Sequence, residues 1–167
     1  MYNDFKSDIT AFAGKCGEYF RSGKLKDFFN SLCPDKNMAG YYDIFAEHCD
    51  GGKRVRAYLV KLGYSLFKES CDDRIILPAL SYEIFQTGVL THDDIIDESP
   101  TRRHKPSVYM QLGGGHMGTS RAICEGDFGI IAATAILCGC EFDEKTKLNA
   151  IRHQSHVFFS TVAGELK

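Results

Sequence analysis

Residues 72–100, DDRIILPALSYEIFQTGVLTHDDIIDESP, predict a long helix that ends in a cluster of acidic residues. Apolar residues recur in it at intervals of three and four, which is the spacing of one face of an α-helix. Asp72 and Asp73 can cap the first turn, where Pro78 is also tolerated. The helix is expected to run to about Glu98, because Pro100 disfavours the helical region for the residue before it. Its candidate core residues are Ile75, Ile76, Ala79, Leu80, Ile84, Val89 and Leu90.

The same period recurs along the rest of the chain and predicts further helices. These helices are predicted near residues 9–20, 58–66, 117–138 and 143–164. In the second of them the apolar face is formed by Tyr58, Leu59, Leu62 and Leu66. Residues 99–116 are predicted to form a loop because they begin after a Ser-Pro break and contain three consecutive glycines. With no internal repeat or linker, the sequence predicts one all-α, bundle-like domain over residues 1–167.

Composition narrows the possible functions. The chain has 20 Lys and Arg against 22 Asp and Glu, a formal charge of -2, which argues against a nucleic-acid-binding polycation. No signal peptide is recognisable and no apolar run approaches the length of a membrane span, so we expect a cytoplasmic protein. Seven cysteines, an odd number, favour reduced thiols. Cys138 and Cys140 could bind a metal, but no second pair stands at ligand spacing.

The acidic helix end is unfavourable in isolation. Asp93 and Asp97 are four residues apart and project from one face, whereas Asp94 is turned by about 100°. Carboxylates at this spacing repel each other, and the C-terminal end of the helix dipole disfavours them further. Mg²⁺ would remove this conflict, since it binds one or two carboxylates together with water and phosphate oxygens. The alternative is an ordinary solvated acidic helix end.

Basic residues form two further groups. In DGGKRVR, residues 50–56, two glycines precede a cationic helix start with Lys53 and Arg56 on one face and Arg54 turned away. An anion would be stabilised there by free backbone N–H groups and both side chains. Arg102 and Arg103 follow the acidic helix end and form the other group. Each group alone is usually solvated surface, but together the three fit Mg²⁺ and a polyphosphate.

GGKRVR at 51–56, HDDIIDESPTRR at 92–103 and GD at 126–127 resemble the N-terminal half of the trans-isoprenyl diphosphate synthases. The resemblance covers roughly residues 45–167. It implies an isoprenoid-synthase-type helical bundle that adds isopentenyl diphosphate to an allylic diphosphate with Mg²⁺, usually as a homodimer. The sequence ends before the family's second aspartate-rich motif. We therefore expect half of the full fold, either a truncation or a short chain that needs a partner.

By this resemblance, Asp93, Asp94 and Asp97 hold Mg²⁺ on the allylic diphosphate, with Asp94 the least certain ligand. Arg102 matches an arginine that binds the same diphosphate. Together with Asp93 and Asp97 it is expected to be catalytic, because the metal and the arginine stabilise the negative charge that develops on the leaving group. His92, turned off the aspartate face, is expected to have a structural role.

The resemblance also assigns substrate-binding residues. Lys53, Arg56 and Arg103 match cations that bind isopentenyl diphosphate. Gln86, seven residues before Asp93, stands where relatives carry a His or Gln that contacts this diphosphate. On residue type alone it is an ordinary polar residue of the helix face.

The helix face below Asp93 is expected to line the pocket for the prenyl tail. The predicted lining consists of Tyr82, Phe85, Gly88 and Val89. Farnesyl-forming relatives often carry bulky aromatics four and five residues before the first aspartate. Val89 and Gly88 are small, which predicts a product of C20 or longer.

Three functional interpretations remain open at this stage. The first is a part of a prenyltransferase, and the second is a non-catalytic subunit that binds a diphosphate or pairs with a complete synthase. The third is a class I terpene cyclase, which shares the Asp-Asp-x-x-Asp site. GGKRVR argues against the cyclase, because a cyclase has no isopentenyl diphosphate to bind.

Overall fold

The structure, a computed structural model, describes the backbone of residues 2–68 and 72–167 and the side chains of residues 5–68 and 72–167. Within these residues the chain is built of α-helices with one very short hairpin. The helices are α1 (Tyr2–Arg21), α2 (Lys24–Leu32), α3 (Ala39–Cys49), α4 (Val55–Ser65), α5 (Ile76–Ile96), α6 (Val108–Gln111), α7 (Gly115–Gly139) and α8 (Glu144–Glu165). The strands β1 (Thr101–Arg102) and β2 (Lys105–Pro106) pair antiparallel. The predicted all-α fold is confirmed.

The long predicted helix forms nearly as expected. The Asp72 side chain accepts a hydrogen bond from the Arg74 backbone N–H, and a 3₁₀ turn over Asp73–Ile75 leads into α5. Pro78 lies in the first turn of α5, where its missing N–H costs least. The prediction of an irregular loop over 99–116 was wrong in part, because this segment contains both strands and α6. A strand of two residues is too short to show a sequence period.

Helices α5 and α7 form the centre of the bundle and make its most extensive helix–helix contact. Their close approach depends on Gly88, where an added Cβ would lie 2.8 Å from the carbonyl oxygen of Gly126. Most predicted core residues of α5 are buried, although Ile76, Val89 and Leu90 are only half-buried. The largest fully buried side chains elsewhere in the described chain include Leu25, Phe29, Tyr42, Phe45 and Leu137.

Helix α7 is long and apolar enough to cross a membrane, by length and composition alone. It has 25 residues, and its most apolar stretch has a mean hydropathy of 1.5. It is also the partner of α5 in the core, and a central core helix meets the same two criteria. The length and apolarity of α7 are therefore weak evidence for a membrane span.

The helix predicted near residues 58–66 forms as α4, but three of the four apolar residues that show its period lie on the surface. Tyr58 is buried, but Leu59 is 57% exposed and Leu66 is 73% exposed, with Leu62 also on the surface. Helix α4 instead packs through Ala57 and Tyr58. Helical periodicity identifies the helix, but it cannot show which neighbour covers an apolar side.

Candidate active site

Arg54 is the most densely bonded residue at the start of α4. It is 4% exposed, has a left-handed backbone (φ 55°), and its guanidinium lies 4.4 Å from the Phe20 ring centre. It donates to the carbonyl oxygens of Cys49 and Gly51 and, at 3.1 Å, to the Asp50 carboxylate. These bonds fold the glycine-containing loop around one buried cation. Arg54 is thus turned away from the solvent-facing cations, as the sequence predicted.

Glu83 joins this loop to α5, and sequence reasoning missed it. One carboxylate oxygen accepts a hydrogen bond from the Ala57 backbone N–H at 2.9 Å, and the other lies 3.7 Å from Arg54 Nη1. Glu83 therefore satisfies a free N–H in the first turn of α4 while balancing the buried guanidinium. Helix α4 begins only at Val55, so exposed Lys53 lies in the loop before it, not on the helix face assumed from the sequence.

The hairpin brings Arg102 onto the aspartates. Arg102 Nη2 lies 2.7 Å from Asp93 Oδ2 and 2.6 Å from Asp94 Oδ1, and its Nε donates to Asp94 at 2.7 Å. The hydrogen bond to Asp94 is the main reason that the pKa of Arg102 is raised. Asp94 is only 2% exposed, which agrees with its predicted turn away from the face of Asp93. Asp97 is exposed and caps the C-terminus of α5.

Arg103 lies against the glycine loop. Its guanidinium fills the space in which a Cβ on Gly51 would stand, and it donates at 3.2 Å to the carbonyl oxygen of His48. Burial and then the neighbouring Arg54 lower the pKa of Arg103. The structure therefore brings together the three charge groups predicted from the sequence, with the hairpin between the acidic helix end and the glycine loop.

The end of α3 holds the hairpin in place. The side-chain amide of Gln111 lies 2.8 Å from His48 Nε2 and donates at 3.0 Å to the Pro106 carbonyl oxygen. Lys105 pairs with Glu47 at 2.6 Å, although both side chains are exposed. Burial lowers the pKa of His48, which keeps the imidazole neutral and able to accept a hydrogen bond.

A cleft of about 610 Å³ runs between α5 and α8 and is lined by both polar and apolar side chains. It is lined by Arg56, Gln86 and Asp93, the residues that the sequence predicts to contact diphosphates. Its apolar lining is formed by Val89, Leu90, Ile95, Ile96, Ile123, Phe158, Val162 and Leu166. The cleft therefore combines charged groups, which could bind the charged head of a ligand, with an apolar wall.

The predicted tail-pocket residues do not all face the same way. Tyr82, Phe85 and Val89 line a smaller cavity of about 90 Å³ that continues between α5 and α8. Gly88 instead contacts α7, and its place in the pocket stays a prediction. Residues on one broad face of α5 can contact different neighbours, and Gly88 lies on the side of α5 that packs tightly against α7.

His92 has the structural position expected for it. Its Nε2 lies 3.1 Å from the Ile123 carbonyl oxygen and 3.5 Å from the Asp127 carboxylate. The ring also lies directly over Gly126, where a Cβ would clash with it. His92 of α5 therefore packs against the Gly-Asp pair at 126–127 of α7.

The carboxylates fit a divalent cation only in part. In the described part of the chain, no three His, Cys, Asp or Glu side chains are grouped so as to hold a metal ion. Asp93 and Asp97 lie one turn apart, however, and two carboxylates suffice for Mg²⁺ when water and phosphate oxygens complete its six ligands. The donor set therefore fits Mg²⁺ that arrives with a phosphate ligand.

Comparison with known proteins agrees with this geometry. A family model described as polyprenyl synthetase matches residues 39–167. The chain belongs to the polyprenyl synthetase family. A short chain isoprenyl diphosphate synthase of Methanocaldococcus jannaschii is 41% identical over 64 residues, which are 38% of this chain and 19% of that protein.

Two solved structures of the family share the fold. The geranylgeranyl pyrophosphate synthetase of Pyrococcus horikoshii is 25% identical with a TM-score of 0.65, over 87% of this chain and 42% of that one. The Corynebacterium glutamicum geranylgeranyl pyrophosphate synthase, in complex with isoprenyl diphosphate and magnesium, is 26% identical with a TM-score of 0.56, over 73% and 40%. The chain thus spans less than half the length of these family members.

Proposed function

We propose that this chain forms the diphosphate-binding wall of a Mg²⁺-dependent prenyltransferase that condenses isopentenyl diphosphate with an allylic diphosphate. The observation that carries the proposal is the convergence of Arg56, Gln86 and Asp93 on one cleft with an apolar wall. Membership of the polyprenyl synthetase family supports it. The proposed substrates include no nucleic acid, and a cytoplasmic homodimer remains the proposed form of the complete enzyme.

The proposed reaction breaks the allylic C–O bond, forms a C–C bond to the alkene of isopentenyl diphosphate, and transfers the lost proton to the departing diphosphate. Mg²⁺ held by Asp93 and Asp97, with Asp94 behind them, would neutralise charge on that diphosphate. Arg102, which pairs with Asp93, would stabilise the same charge as it develops. Lys53, Arg56, Gln86 and Arg103 are the groups proposed to hold the isopentenyl diphosphate.

The apolar wall has a chemical purpose in this reaction. Loss of diphosphate leaves an allylic cation, which water would trap as an alcohol. Val89 and Leu90 on α5 face Phe158 and Val162 on α8 across the cleft. These side chains would exclude water from the cation. A product of C20 or longer remains our prediction, and it rests on the small residues Gly88 and Val89.

The test is calorimetric binding of geranyl diphosphate to the chain with and without Mg²⁺. Binding that requires Mg²⁺ and is lost in Asp93→Ala is expected. Asp43→Ala is the matched control, since Asp43 is an exposed aspartate on α3 that pairs with Lys26. Equal binding without Mg²⁺, or equal losses in both variants, would contradict the proposal.

A second candidate is a subunit that binds a diphosphate but turns over only with a partner chain. The exposed apolar side chains of α4 and α8 favour it; they include Leu59, Leu66, Phe159 and Leu166. Incorporation of labelled isopentenyl diphosphate by the chain alone would exclude this candidate. Incorporation that requires the C-terminal half of a relative would support it.

A further inference from the structure

Gln154 on α8 is a buried amide with one unsatisfied end. Its side chain is 3% exposed, and its Oε1 accepts a hydrogen bond from the Thr134 hydroxyl on α7 at 3.2 Å. Among the residues that the structure describes, its Nε2 has no hydrogen-bond partner. A buried amide donor without a partner is costly, so it requires a water molecule or a ligand.

The unsatisfied amide borders the cavity that extends the cleft. Gln154 lines this cavity of about 90 Å³ together with Tyr82 and Phe85 of α5. Phe158, one turn farther along α8, packs against Phe85 with ring centres 5.4 Å apart. Tyr82 stands eleven residues before Asp93, which corresponds to about 16 Å along the helix. Gln154 therefore lies deep in the cleft, on the path of a tail whose diphosphate is held at Asp93.

A second apolar cavity lies beyond this point. It has a volume of about 600 Å³ and is lined by Leu59, Val60 and Leu137 among others. Tyr82 and Arg56 line both this cavity and the smaller one beside Gln154, so the two cavities meet at these residues. A tail that passed Gln154 would find more apolar space, and the amide is a polar group at that boundary.

We propose that Gln154 is a specificity-determining residue that weakens the binding of prenyl tails long enough to reach it, so that a C20 product is released instead of being elongated further. The smaller cavity has room for water that can pair with Nε2. A hydrocarbon tail that displaces this water offers no hydrogen bond in return, so the donor is left unpaired. Short tails end before this level and leave the water in place.

The inference rests on the proposed function, and its test separates the two. The affinities of inorganic pyrophosphate, dimethylallyl diphosphate (C5) and geranylgeranyl diphosphate (C20) are measured by calorimetry with Mg²⁺ for the wild type and for Gln154→Met. Methionine is unbranched, similar in length to glutamine and has no amide. The variant is expected to bind the C20 ligand about tenfold more tightly, with the other two unchanged.

Gln86→Met is the matched control, because it makes the same replacement at a half-buried residue that lines the same cavity. Because Gln86 is assigned to isopentenyl diphosphate, this variant is expected to leave the ratio of the C20 and C5 affinities as in the wild type. Unfolding midpoints of both variants verify that they fold. An unchanged C20 affinity in folded Gln154→Met, or weaker pyrophosphate binding, would overturn the inference and leave the proposed function standing. Wild-type protein that bound none of the three ligands would overturn both.

Discussion

Glu125 is a buried carboxyl group in α7, and its replacement by glutamine is expected to change how stability depends on pH. The side chain is 2% exposed, and Oε2 has no hydrogen-bond partner among the described residues. Burial raises the pKa of Glu125 from its ordinary 4.5 to about 7. The nearby Tyr42 phenol, whose pKa is raised to about 12 by burial, stays neutral throughout this range.

The size and sign of the effect follow from the two pKa values. Between pH 4.5 and about 7 the folded protein keeps a proton on Glu125 that the unfolded chain has released. The free energy of unfolding therefore falls as pH rises through this window. A shift of between two and three pH units corresponds to about 3 kcal/mol. Glutamine cannot ionise, so Glu125→Gln should lack this loss.

The assay is urea unfolding of wild type and Glu125→Gln at pH 4, 5, 6, 7 and 8. Burying a glutamine amide at position 125 lowers the stability of the variant by the same amount at every pH. This constant cost cancels when only the change in the free energy of unfolding with pH is compared between the two proteins. The difference between the two proteins is expected to move by about 3 kcal/mol in favour of the variant across the series. Glu141→Gln, at an exposed glutamate just beyond α7, should run parallel to wild type. Parallel curves for Glu125→Gln would refute the reasoning.

Two further substitutions test the site and the core. Arg102→Ala leaves the buried Asp94 carboxylate unpaired and should lower the free energy of unfolding by about 3 kcal/mol. Lys105→Ala breaks an exposed ion pair on the same hairpin and should lower the free energy of unfolding by less than about 1 kcal/mol. Equal losses in urea unfolding would contradict the buried-pair argument. Gly88→Ala places a Cβ against the Gly126 carbonyl and should cost about 1–3 kcal/mol while leaving the chain-length dependence of ligand binding unchanged. A changed length dependence without a stability loss would place Gly88 in the tail cleft after all.

Local signals were sufficient for much of the fold. Period and capping predicted α5, α7 and α8 within a few residues, because hydrophobic spacing and the residues at helix ends are local properties. Local charge conflicts predicted Asp93, Arg56 and Arg102 as members of one site. Asp93 and Arg56 carry charges that their helix ends disfavour, and Arg102 follows the acidic helix end; in the folded chain each finds a partner or faces the cleft.

Contacts between distant segments could not be predicted in the same way. Glu83 looks like an ordinary helix glutamate until α4 places the Ala57 N–H beside it. Gln154 becomes notable only when its cavity and the Thr134 hydroxyl are known. The spacing of Leu59 and Leu66 predicts a helix with an apolar face, but it does not show what covers that face, and both residues are exposed. These roles depend on neighbours that are many residues away in sequence.

The contact between Arg103 and the glycine loop links two segments that are fifty residues apart. At Gly51 a Cβ would stand less than 3.0 Å from the Arg103 guanidinium, and Gly52 also has a positive φ of 111°. The missing side chains are therefore the space that the arginine fills. Variation at the two places should be coupled: a larger residue at position 51 would displace the arginine, and a smaller residue at position 103 would leave a void beside the glycines. The glycine motif looks self-contained in the sequence. In the fold it is one half of a structure whose other half is Arg103.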